Sequence, residues 1–326
     1  MTGLIDEASA PDPRQPPRLG AIESAVTWRL RDRAGLAFAW FAGLGFCVIC
    51  AALVIYLLVQ GVRYLHPDLI WSNPKPGDNQ SQTGGFLAPL IGTALVTTMA
   101  MVLATPIGIG IAVWLSEYAR PGWLARVVES TVEMLAGAPS VVLALFGLLI
   151  FRGAWAGFLS QENGGVVVGE SFLDAAPLLA LLGLPLVVTT TREGLQAIPN
   201  HVREASYAVG KTKIATIRRV LLPAARPSVI AGTMLSTAHV IGDTAIIVLV
   251  LGDTSTSSPL HPGGALSIFS GTGSTLTSYV FDSAPTGTLN QPQKAFVAAL
   301  VLLVMVLMLN LIVDTYGRKA RDLKWN

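Results

Sequence analysis

Charge is scarce in this sequence. Asp, Glu, Lys and Arg together make up 13% of its 326 residues, against 52% hydrophobic residues, and a mean hydropathy of +0.58 excludes an ordinary soluble globular domain. Cysteine is rarer still. Cys47 and Cys50 form a C-x-x-C inside an unbroken apolar run, where neither a thiolate nor a metal has polar support, so redox and metal chemistry are not expected there. Gly271-Thr272-Gly273-Ser274 lacks the Gly-Lys-Ser/Thr ending that opens a helix in a P-loop, and the chain is expected to bind no nucleotide or other cofactor itself. Ligand and nucleophile clusters of recognisable spacing are missing, which ranks a membrane-embedded enzyme lowest among the functions considered.

What the sequence has in quantity is long apolar runs. Six are long enough to cross about 30 Å of hydrocarbon at 1.5 Å per residue: 34–62, 87–118, 124–151, 173–191, 227–251 and 294–316. The expected class is therefore all-α and integral to a membrane, with a domain of six transmembrane helices over 34–316. Two flanking tails, 1–33 and 317–326, complete the chain. Pro11, Pro13, Pro16 and Pro17 make the first tail unsuited to a packed element. The first apolar run is too long for a signal-peptide core and reads as a retained anchor.

The net charge of +2 hides an uneven distribution. All but four of the 22 basic residues fall in segments that six crossings would place on one side; the exceptions are Arg63, Lys75, Arg152 and Lys294. By the positive-inside rule both termini are expected in the cytoplasm, and the basic residues report topology, not nucleic-acid binding. The two longer external segments, 72–85 and 253–293, are rich in Pro, Gly, Ser, Thr and Asn and read as loops.

The most informative segment is the basic one between the fourth and fifth runs, 200–223. Asn200 is placed to cap a short helix with Val202, Ala205, Ser206 and Val209 at helical spacing, and Gly210 to stop it. Ile214, Ile217 and Val220 then repeat on a second amphipathic stretch that ends at Leu222-Pro223. Amphipathicity alone fits a lipid-surface connector equally well. The spacing is more specific. Glu204-Ala205-Ser206, then Gly210, then Leu222-Pro223 resembles the cytoplasmic EAA motif of ABC importer permeases, with Ser206 in place of Ala. The resemblance implies that Glu204, Ala205, Ser206, Gly210, Leu222 and Pro223 seat in a groove of an ATPase subunit. It also implies that ATP and Mg belong to the ATPase partners, and that the chain lies in a bacterial plasma (inner) membrane.

Three further segments, Gly92-Thr93 to Tyr118-Ala119, Leu135 to Gly147 and Leu184 to Pro199, are similar to phosphate importer permeases of the PstA and PstC type. The Leu184–Thr191 run and Gly242-Asp243-Thr244-Ala245 are nearer PstA. The implied partners are a PstC-like sister permease, two PstB-like ATP-binding subunits, an extracytoplasmic PstS-like phosphate-binding protein and membrane lipid, with no nucleic acid. The sequence departs from that pattern where PstA-like permeases carry two arginines and a Gly-Glu-Thr. The matching positions are His239, Thr189 and Asp243, so two guanidinium groups are missing and one carboxylate is shorter.

Read as one helix from Pro227, the fifth run carries His239 about 18 Å along and Asp243 about 6 Å further. At 100° per residue Gly232, Ser236, His239 and Asp243 form a narrow small-and-polar stripe that does not suit lipid. Three readings of it stand: a lining for an ion pathway, with Ser236 and Thr189 contributing; a self-satisfied His-Asp pair that holds helices together; and a metal site. No Lys or Arg occurs between Arg226 and Lys294, which suits a conduit that must release its ion. The open functions are an ATP-driven phosphate importer subunit, a permease for another oxyanion, and a secondary transporter or channel.

Overall fold

The computed structural model describes residues 30–73, 85–119, 122–151, 171–251, 273–285, 287 and 291–322. The expectations for residues 1–29 of the N-terminal tail, most of the two external segments (with Gly271-Thr272) and the last residues of the C-terminal tail lie outside them; residues 30–33, expected in the tail, are helical. The described residues are helical. The chain divides into two units, Met1–Tyr56 and Leu57–Asn326.

The first unit contains most of α1 (Leu30–Arg63). Its window of highest hydropathy is 0% buried, and Phe38, Trp40, Phe41 and Phe46 are all exposed. Such a helix is a membrane span whose solvent is hydrocarbon.

The second unit holds the remainder: α2 (Pro67–Trp71), α3 (Leu87–Val113) running into a π-turn (Trp114–Tyr118), α4 (Trp123–Gly137), α5 (Ser140–Phe151) and α6 (Phe172–Gln196). After these come α7 (Asn200–Ala208), α8 (Lys213–Thr216), a second π-turn (Ile217–Leu221), α9 (Leu222–Ala224), α10 (Arg226–Gly242), α11 (Ala245–Leu251), α12 (Leu276–Ser283) and α13 (Pro292–Asp322). α6 is the central element, with 72% of its apolar window buried.

Small residues set the packing. Gly183 faces Ser236 and Val240, Gly232 faces Thr190, and Gly194 faces Ser228, so α6 and α10 run antiparallel along a close seam of the kind that small side chains permit between membrane helices. Gly92 faces Phe172 and Gly108 faces Val187, so α3 and α6 run parallel. The chain must therefore return once between them, and α4 with α5 makes that return. Phe86, just before α3, packs with Val297 and Ala298 early in α13, which sets α13 parallel to α3. The order of crossings expected for the second to sixth runs is reproduced.

Two of those runs are not continuous. The third, 124–151, is broken between Gly137 and Ser140, and α4 and α5 meet at 107°. Pro139 explains it: it donates no amide and forces Ala138 into extended backbone, φ −73° and ψ 131°. The fifth, 227–251, is broken after Gly242, with 54° between α10 and α11. No proline is involved there. Asp243 is extended, φ −75° and ψ 116°, and its Oδ1 accepts the Ile246 amide at 2.8 Å, so a side chain that caps the second half competes with the helical backbone. The Thr277 hydroxyl donates to the Ile241 carbonyl at 3.2 Å, satisfying an acceptor freed by the break.

α12 corrects the reading of 253–293 as loop throughout. Thr275 and Ser278 form a capping box, and Tyr279 meets Phe86 edge to face at 5.5 Å. The Leu276 amide donates to Thr93 Oγ1 at 2.8 Å. Gly92 lies so close that an added Cβ would be 2.3 Å from the Ser274 carbonyl oxygen. Gly92→Ala should gain about 1 kcal/mol of helix propensity but cost about 1–3 kcal/mol in forced backbone displacement. The net expectation is a lower melting temperature of the detergent-solubilised protein; an unchanged or higher one counts against this packing.

Candidate functional site

The two helix breaks face one another. Between them, with α6 as the third wall, lies a cavity of about 460 Å³. Ala138 and Ser140 line it from the first break, Pro185 and Leu186 from α6, and His239 and Asp243 from the second break. The walls are largely apolar, with a few polar groups of defined position, as in sites that orient a small ligand. α5 starts at Ser140 on this wall, and a helix start carries partial positive charge. Among the described residues, His239 and Asp243 are the titratable ones of the lining.

His239 is exposed and Asp243 half-buried. Among the described residues no ion pair joins them. One carboxylate oxygen of Asp243 is engaged by the backbone of α11, so the self-satisfied His-Asp pair is not formed.

The rest of the expected stripe goes elsewhere. Ser236 is fully buried in the α6–α10 seam, where its hydroxyl donates to the Gly183 carbonyl at 2.9 Å, and Gly232 packs against Thr190 in the same seam. The helical-wheel projection failed because α10 stops at Gly242, leaving Asp243 off the helix. Thr189 is exposed and gives its hydroxyl to the Pro185 carbonyl at 2.9 Å, one turn beyond the cavity wall. The Thr93 hydroxyl donates to the Pro89 carbonyl and accepts the Leu276 amide, and so serves packing. Ser140 and Pro185 were missed as lining residues; the signal was Pro139, which could have placed a break beside them.

The loop 200–223 is built as a self-contained unit. α7 starts with Pro199 in the cap position and Asn200 as its first residue, so Asn200 is not the N-cap. Its end matches expectation. Gly210 has φ +77°, and the amides of Gly210 and Lys211 return to the carbonyls of Tyr207 and Ser206 at 2.9 and 3.2 Å, a Schellman closure that needs left-handed backbone. Thr212 caps α8 by accepting the Ala215 amide at 3.3 Å.

The residues expected on one face of α7 divide between two. Ser206 is buried and bonded to Thr216 at 2.9 Å and Val202 is half-buried, whereas Ala205 and Val209 are exposed, as is Glu204. Val209 is 73% exposed, and Tyr207 and Ile214 join it. Ile217 and Leu221 turn inward to pack with Leu195 and Ala225, and Leu222 joins them; Pro223 is half-buried. The exposed side chains of the loop are thus apolar at Ala205, Tyr207, Val209 and Ile214, acidic at Glu204 and basic at Lys211, Arg218 and Arg219. Glu129 pairs with Arg192 at 2.5 Å. A second pair, Arg203 with Glu117 at 3.0 Å, was not foreseen.

Residues 104–322 match the family described as binding-protein-dependent transport system inner membrane component. The phosphate transport system permease protein PstA 1 of Mycobacterium tuberculosis (strain CDC 1551 / Oshkosh) is 35% identical over 247 residues, 74% of this chain and 73% of that protein. The phosphate transport system permease protein PstC of Xylella fastidiosa (strain 9a5c) is 31% identical over 223 residues, 64% and 66% of the two chains. Among solved structures, a bacterial alginate ABC transporter in complex with an alginate-pentasaccharide-bound periplasmic protein has a chain that superposes with a TM-score of 0.61 over 89% of this chain and 96% of its own. At 15% identity that is a likeness of fold.

Proposed function

Because the chain belongs to the family of binding-protein-dependent transport system inner membrane components, we propose that it is the PstA-type half of a pathway for inorganic phosphate. The observation that carries this reading is the cavity where two broken helices converge on His239 and Asp243. Irregular backbone at membrane depth is tolerated where it lines a cavity, and discontinuous helices build the ion sites of other transporters.

Asp243 accepts a hydrogen bond from the O–H of protonated phosphate, and His239 donates to one of its bare oxygens. Among the described residues no Lys or Arg lines the cavity, which suits a site that holds its ion weakly enough to release it. High affinity belongs to the extracytoplasmic phosphate-binding protein. The chain itself is not an enzyme. ATP and Mg are held by two ATPase subunits, one of which seats on Glu204, Val209 and Gly210 of this chain, and a PstC-like sister permease completes the cavity. Both termini lie in the cytoplasm, the side to which 18 of the chain's basic residues would fall, all but Arg63, Lys75, Arg152 and Lys294 among its 22.

Proteoliposomes holding the chain, the sister permease and the ATPase, with the binding protein outside, test the reading. Phosphate uptake is expected with ATP inside and none with a proton gradient alone. Gradient-driven uptake without ATP would overturn it in favour of a secondary transporter.

A further inference from the structure

The loop is fastened to the spans at one shielded point. Arg203, on α7, directs Nε and Nη2 to Glu117 Oε1 at 3.1 and 3.0 Å. Its Nη1 donates to the Ile198 carbonyl at 2.6 Å and its Nη2 to the Leu195 carbonyl at 2.8 Å. Glu117 lies in the π-turn that ends α3 and Leu195 in the last turn of α6, while Ile198 lies in the connection that follows it. The side chains are 16% and 5% exposed for Arg203 and Glu117, so the pair escapes most of the screening that makes surface ion pairs weak.

A second grip reaches the same turn. Lys213 of α8 donates to the Glu117 backbone carbonyl and sits 4.6 Å over the Tyr118 ring. The buried Ser206–Thr216 bond joins α7 to α8, so both short helices hold the end of α3 as one body.

A guanidinium that serves a carboxylate and two carbonyls at once is fixed in direction by its planar fork, which an ammonium is not. One side chain therefore locks α7 to the ends of two spans. α3 and α6 pack closely at Gly108 and Val187, and α6 walls the cavity with Pro185 and Leu186. Without the lock, the short connection 197–199 could absorb a displacement of α7. With it, displacement passes to α3 and α6 together.

The geometry points to Arg203 and Glu117 as positioning residues of the transport cycle: a rigid joint that delivers movement of the docked loop to the helices around the cavity. The inference rests on the reading that the loop 200–223 receives the ATPase. Both residues act through the helices they hold; neither lines the cavity.

The test uses the full reconstituted complex and the ratio of phosphate moved to ATP hydrolysed. Glu117→Gln keeps the shape and removes the charge; Glu117→Asp keeps the charge and shortens the reach; Arg203→Lys keeps the charge and removes the fork. Glu117→Gln and Arg203→Lys should assemble, retain the ATPase and hydrolyse ATP at close to the wild-type rate, while phosphate moved per ATP falls about tenfold, within the usual range of coupling between sites. Glu117→Asp should keep more of the ratio than Glu117→Gln. An unchanged ratio in Glu117→Gln and Arg203→Lys overturns the joint. So does loss of the ATPase from both, which would make the pair a staple for the loop's own fold. A Glu204→Lys control that still binds the ATPase normally would sink the docking reading instead, and the joint with it.

Discussion

Glu204→Lys is expected to abolish co-purification of the ATPase subunits while leaving the chain's own fold intact. Glu204 is exposed on α7, and among the described residues its side chain makes no hydrogen bond or ion pair. Lysine and glutamate have nearly equal helix propensity, so α7 loses nothing internal. The cost falls on the interface. Loss of one partner of a buried, hydrogen-bonded charge pair typically costs about 2–5 kcal/mol, and a reversed charge adds repulsion; about 2 kcal/mol is already roughly 30-fold in Kd. Pull-down of the ATPase from detergent extracts, beside size-exclusion and thermal melting of the variant, separates the two effects. Normal ATPase yield with normal uptake would remove Glu204 from the docking surface. Gly210 gives a related contrast. Its φ of +77° admits Asn far better than a β-branched residue, so Gly210→Asn should retain docking where Gly210→Val does not.

The membrane architecture was legible because apolar run length is a property of composition, and the return between α3 and α6 follows from counting runs. The breaks were less so. Gly137-Ala138-Pro139 could be read as a kink, a hinge or close packing, and an added Cβ at Gly137 meets nothing within 4 Å, which leaves Pro139 as the cause. Asp243 misled because an Asp in an apolar run projects onto a helical wheel as readily as any residue. Only the Ile246 contact reveals it as a cap. Ser236 misled in the opposite way: its hydroxyl looked like a pathway group, but Gly183 opposite gives it a partner inside the seam.

In the loop 200–223 the stop at Gly210 was legible from short-range spacing, whereas the cap falls on Pro199 and Ser206 and Leu222 turn inward. What attaches the loop to the spans was not legible, because Glu117 is 86 positions from Arg203 and no local pattern links them. The same distinction separates the loop from the cavity. The loop carries its information in sequence order, whereas the cavity exists only where two breaks, distant in sequence, meet on α6.

Asp243→Asn should reduce ATP-driven phosphate uptake by roughly 10- to 100-fold, the equivalent of about 1.5–3 kcal/mol for a hydrogen bond to a charged group. Asparagine caps helices as well as aspartate does, so Oδ1 can still accept the Ile246 amide now bonded at 2.8 Å and α11 keeps its start. What is lost is the charge and the acceptor at the second oxygen, where an amide would meet the phosphate O–H donor to donor. Sulfate has no proton to offer at neutral pH and is repelled by the carboxylate; for it the substitution removes a penalty. The phosphate-to-sulfate uptake ratio should therefore fall by more than phosphate uptake alone, with assembly and basal ATPase rate preserved. Asp243→Ala, which also removes the cap, should lose both transport and about 1 kcal/mol of stability. If Asp243→Asn instead loses stability as Asp243→Ala is expected to, Asp243 is a structural cap and the selectivity of the cavity lies with His239 or the sister subunit. An unaltered phosphate-to-sulfate ratio in a well-assembled variant would remove Asp243 from the pathway altogether.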